Sequence, residues 1–201
     1  MKQKQKTEKA FGYLDQAYEI IFTYNHDYEK SRPGLANLLT RAENEKFTKN
    51  SAYHQLMGTL SYFISKSEVK NTPYQNLLPG NPAVAYHFKL SLELDSYNPP
   101  LQYLYGLYLY DKGKFLKAES VFSEIDIRYF QDLDMNDRAI KIKELILCCK
   151  IFSDDSSEDE IVKFIEETSD QEEEDYPWDL VETLKLNAKH YTERIRSALK
   201  E

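Results

Sequence analysis

Apolar residues recur at intervals of three and four along most of this chain, the signature of helices that bury one face. Phe11, Leu14, Tyr18, Ile21 and Phe22 predict an amphipathic helix over 7–30, which Arg32–Pro33–Gly34 ends. Leu35, Leu38, Leu39 and Ala42 mark a shorter second helix. Ala52, Leu56, Leu60, Phe63 and Ile64 define a third, and Val84, Phe88 and Leu92 a fourth. Met135, Ala139, Ile142, Ile146, Cys149 and Phe152 lay a wide apolar stripe along a long helix, and Ile161, Val162 and Ile165 give a short one. Leu180, Leu184, Ala188, Tyr191, Ile195 and Leu199 predict one polar-backed helix over 178–199, suited to closing the end of a stack.

Leu101 to Tyr110 is ambiguous by pattern, because its alternating Leu and Tyr also fit a buried strand. Helical segments on both sides favour a helix, apolar nearly all round and so central. Gly106 in that segment, then Ala118 and Phe122 beyond the turn at Lys112–Gly113–Lys114, predict two helices in close antiparallel contact. Gly106 and Ala118 remove bulk where the helices meet, and Phe122, one turn on, fills the space.

These positions resemble a tetratricopeptide repeat, with Gly in its first helix and Ala-x-x-x-Phe in its second. Over the best unit, 99–130, Gly106, Gly113, Phe115, Ala118 and Phe122 follow the pattern. Gln102, Tyr105, Leu109 and Phe130 depart from it at the Trp, Leu, Tyr and Pro positions. Asn98–Pro99 closes a preceding unit, and Met57–Gly58 resembles that unit's Leu–Gly pair. Gly58 and Gly106 are 48 residues apart, 14 more than one repeat, and the Pro-rich stretch 67–82 accommodates the excess. Thirty-four residues beyond Gly106, Ala118 and Phe122 stand Ile140, Phe152 and Ser156, where the register ends. The resemblance, over about 52–126, implies an all-α fold: antiparallel helix pairs in a short right-handed α-solenoid. The expectation is about nine helices in a single domain, 1–201.

The resemblance also implies a concave surface lined by first-helix residues, here Gln55, Thr59, Tyr62, Tyr103, Leu107 and Tyr110. Two readings of the tyrosines stand. They are core side chains with hydroxyls reaching water, or they form a groove suited to peptides, since two-torsion aromatics bury area at small entropic cost. The Lys and Asn that would grip a C-terminal carboxylate are missing from these positions.

Charge adds a second feature. The 201-residue chain carries a net −8, yet 154–175 alone holds twelve acids against Lys163. That window stands at −11 and the remainder at +3. The acids of 154–160 suit the positive end of a helix, and Gln171 to Asp175 suits a solvated linker. The alternative is a polyanionic edge at Glu172, Glu173, Glu174 and Asp175 that steers a basic partner. The spacing Asp154-x-Ser156-x-Glu158 lacks the turn glycine and downstream Glu of a calcium loop.

Chemistry is otherwise sparse. His26, His54, His87 and His190 are far apart in sequence and none has metal-ligand spacing to another His or Cys. Cys148 and Cys149 are adjacent on an apolar helix, poorly placed to bridge each other, and read as inert core thiols in a reduced, cytoplasmic setting. Phosphate loops and nucleophile elbows are absent from the sequence, as are long apolar runs. The expectation is a non-catalytic protein-interaction scaffold or adaptor with no cofactor or metal, holding a protein or peptide and neither nucleic acid nor membrane. The alternative is an acidic stoichiometric inhibitor, immunity protein or chaperone that covers a basic partner. Oligomeric state is not legible.

Overall fold

The structure, a computed structural model, describes residues 2–45, 49–66, 81–168 and 178–199. Among these it holds eleven α-helices, one 3-10 turn and no strand. The chain divides into two compact units, Met1–Lys112 and Gly113–Glu201, each built round its own helix contacts.

In the first unit, α1 (Lys2–Thr23), α2 (Tyr28–Asn44), α3 (Ser51–Lys66), α4 (Pro82–Leu94) and α5 (Pro99–Asp111) follow one another. The break between α1 and α2 comes upstream of Pro33, not at Arg32–Pro33–Gly34 as predicted. Asn25 takes a left-handed backbone, φ 49°. Its N–H and that of His26 close back on Phe22 and Ile21 at 2.9 and 3.0 Å, a helix end in which Asn replaces the usual Gly. Asp27 then caps α2 by accepting from the Lys30 N–H at 3.1 Å. Pro33 sits inside α2. Asn81 and Asn98 cap α4 and α5, each followed by Pro at the first helical position.

The α3–α4 pair is the tightest helix contact of this unit. A methyl group on Gly58 would stand only 2.5 Å from Cδ1 of Phe88, so the glycine is what lets α4 approach. Phe88 is fully buried, with the rings of Tyr62, Tyr105 and Tyr108 at 6.3, 6.0 and 6.4 Å. Helix α5, the segment ambiguous between strand and helix, is helical and buried on nearly every side. Its C-terminal turn ends at Gly113, φ 65°.

In the second unit, α6 (Phe115–Ser123), the single turn α7 (Arg128–Gln131) and α10 (Trp178–Leu186) pack on α8 (Asn136–Phe152). Helix α9 (Glu158–Thr168) carries α11 (Glu193–Ala198). The predicted continuous helix over 178–199 is therefore broken. Asn187 turns its side chain back onto the Thr183 carbonyl at 3.0 Å, Ala188–His190 forms a 3-10 turn, and Thr192 caps α11. Apolar spacing survives across the break because both pieces keep one side on the core. The division between units falls at the Lys112–Gly113 turn, so Gly106 belongs to one unit and Ala118 and Phe122 to the other.

Candidate functional site

The six residues expected to line a groove all lie in the first unit, and most are interior. Thr59, Tyr62, Tyr103 and Tyr110 are buried, and Leu107 is half-buried. The Tyr62 hydroxyl donates to Asp111 at 2.7 Å, and Asp111 also holds Lys66 at 3.1 Å. Lys66 lies over the Tyr28 and Tyr62 rings. Burial, then the Asp111 carboxylate, raises the Tyr62 phenol well above its ordinary range. The core reading of the tyrosines is the one that this burial supports: α5 is buried on nearly every side, with Gln102, Leu107 and Asp111 half-buried.

Gln55 is different. It lines an open cleft of about 420 Å³ with Thr7 and Phe11 of α1, Asn50, Ser51 and Ala52 at the start of α3, and Leu94, Asp95 and Asn98 between α4 and α5. Phe11 and Leu94 are 45% and 53% exposed, large apolar side chains at its edge. Hydrogen bonds fix the orientation of the polar groups. The Leu101 N–H occupies the Asn98 Oδ1 at 3.1 Å, which turns the Asn98 amide nitrogen toward Gln55. That nitrogen donates to the Gln55 Oε1 at 3.1 Å. The Gln55 Nε2 donors then remain without a protein acceptor among the described residues, but they are not buried orphans; among the described residues those are Thr59 Oγ1 and Ser156 Oγ. Asn50 accepts from the Tyr53 N–H and donates to Thr7 Oγ1, and Ser51 bonds to Ser91. The sequence register picked out Gln55; it missed Phe11 and Leu94, which lie off the repeat's first-helix positions.

A histidine pair also went unseen, because His54 and His87 are 33 residues apart in sequence. They face each other across α3 and α4 with Nδ1 atoms 2.9 Å apart and ring centroids at 5.1 Å. The two nitrogens thus lie between the rings in one N–H···N bond. One ring donates and the other accepts, and the lowered pKa of each favours the neutral form. Burial first, and for His87 then His54 and Lys49, lowers both; His87 falls to about 4. Tyr53 and Tyr86 stand edge-on around them.

In the second unit, part of the acidic segment is occupied by the chain itself. Asp154 pairs with Lys189 and His190, Glu158 with Thr192, Asp159 with Arg194, and Glu160 with Lys150. The first three fasten the segment over 189–194 to α9 and its leading turn, and the last ties α9 to α8. Glu172, Glu173, Glu174 and Asp175 lie outside the described residues, as does most of the 67–82 stretch. Buried Glu144 accepts from Lys141 at 2.6 Å and from the Leu180 N–H at 2.9 Å, pinning the start of α10 to α8. Burial raises its carboxyl above the usual range, against the pull of Lys141. Cys148 and Cys149 are fully buried, and burial raises both thiols, Cys149 to about 12.

Among the described residues no group of three or more His, Cys, Asp or Glu could hold a metal ion, and no helix is long and apolar enough to cross a membrane. Comparison with protein-family models, with curated proteins and with solved structures found no match.

Proposed function

We propose that this protein is a non-catalytic interaction scaffold of tetratricopeptide-like helix pairs, and that its first unit holds a segment of another protein in the Gln55 cleft. The observation that carries the reading is the cleft: two exposed apolar side chains, Phe11 and Leu94, beside the Gln55 amide, whose nitrogen has no protein acceptor among the described residues. Apolar anchors with a few oriented polar groups suit a peptide, and about 420 Å³ accommodates a few residues. The repeat reading is supported by Gly58 against Phe88. With 14 inserted residues removed, their spacing equals that of Gly106 and Phe122. Stacking of such pairs as a right-handed solenoid, and a cytoplasmic location, belong to the same proposal.

Short random peptides displayed on phage, selected against the full chain, supply the test. Side-chain amide signals in a nitrogen–proton correlation spectrum report contact directly. Peptides that bind should shift the Gln55 and Asn98 NH2 signals, and Phe11→Ser or Leu94→Ser should weaken them roughly tenfold, the value of one buried apolar anchor. Selected peptides that ignore both substitutions and leave those signals unmoved would place the interaction elsewhere.

A further inference from the structure

The cleft also carries information about what fits it. Among the described residues its lining has one ionised residue, Asp95, the C-terminal cap of α4. Asp95 is exposed and has no cationic partner among the described residues, unlike Asp111, Glu144, Asp154 and Asp159, which are all paired within the chain. The other polar atoms are largely spent. Asn98 is committed at both ends of its amide, to Leu101 and Gln55. Asn50 is likewise committed to Tyr53 and Thr7, and Ser51 is bonded to Ser91. Two groups are left free to meet a ligand in place of water: the donors of Gln55 Nε2, and the carboxylate of Asp95.

Resting on the peptide-cleft reading, we infer that the occupant is an extended protein segment with a Lys or Arg beside an apolar residue. A main-chain carbonyl accepts from Gln55 Nε2, the apolar side chain lies between Phe11 and Leu94, and the cation meets Asp95. An acidic segment is disfavoured by the same geometry, since no lining side chain among the described residues offers it a positive charge.

The selected peptides, synthesised with a fluorescent label and titrated onto the full chain, decide between outcomes. The inference expects Lys or Arg to recur among them, with binding weakened about fivefold by Asp95→Asn and more by Asp95→Lys, as for a solvent-reached ion pair. Raising the salt should weaken wild-type binding and leave Asp95→Asn nearly unaffected. Both substitutions are at an exposed cap, and matching melting curves verify the fold. Peptides that depend on Phe11 and Leu94 but lack a cation, or bind Asp95→Asn equally well, overturn the inference and leave the cleft standing. Selection that yields no peptide sensitive to Phe11 or Leu94 overturns the cleft, and this inference with it.

Discussion

Replacing Gly58 with Ala separates two effects of opposite sign. Gly in a helix interior costs about 1 kcal/mol relative to Ala, so propensity alone would make Gly58→Ala stabilising. The added methyl, however, would sit 2.5 and 2.7 Å from Cδ1 and Cε1 of Phe88. Phe88 has no exposed surface, and the rings of Tyr62, Tyr105 and Tyr108 surround it, so it has no room to give way. Overpacking costs roughly 1–3 kcal/mol, and so close an approach to a ring that cannot move falls in the upper part of that range, outweighing the propensity gain. The expected net effect is a loss of about 1–2 kcal/mol, read as a lower urea midpoint with an unchanged slope. Gly12, half-buried on α1, meets nothing within 4 Å, and Gly12→Ala should raise stability by about 0.5–1 kcal/mol. Phe88→Leu should relieve the clash, so the double variant Gly58→Ala/Phe88→Leu should lose less than the sum of its parts. If Gly58→Ala were as stable as Gly12→Ala, the close approach of α3 and α4 would be refuted, along with the structural support for the repeat.

The histidine pair predicts a pH dependence. Both native-state values are lowered, so the unfolded chain binds protons first; the pair's contribution is complete above pH 6.5 and is lost as pH falls toward about 4. Urea midpoints between pH 7 and 4.5 should fall more steeply for wild type than for His54→Asn/His87→Asn, and equal slopes would contradict the shared N–H···N bond. In the second unit, Glu144→Gln should cost about 3 kcal/mol, because it leaves the half-buried Lys141 with one carboxylate, Asp179, and weakens the hold on the Leu180 N–H. Hydrogen exchange at the start of α10 should rise with it; unchanged protection there would show that Glu144 does not pin that helix.

The all-helical class was legible in the sequence because a buried helical face needs only a local period of three and four, which Leu56, Leu60 and Phe63 or Ile142, Ile146 and Cys149 supply. A helix end was legible at Asn98–Pro99, whereas Asn81–Pro82, the same signal, reads as part of the 67–82 stretch. Helix ends were misread where Asn25 took the left-handed role usually given to Gly, and where Asn187 and Thr192 broke 178–199 without disturbing its apolar spacing. A single Asn or Asp does not announce its φ; the hydrogen bonds of the folded turn decide it. The alternation of Leu and Tyr along α5 fixed that its side chains are amphipathic, and only packing decided that Tyr62, Tyr103 and Tyr110 are interior. Periodicity gives a residue's side of its own helix, not what lies against that side. The pairing of His54 with His87, the approach of Gly58 to Phe88, and the meeting of Phe11, Gln55, Leu94 and Asp95 at one cleft join residues 30 to 84 positions apart. Such contacts depend on how helices pack in three dimensions, which no local pattern in the chain records.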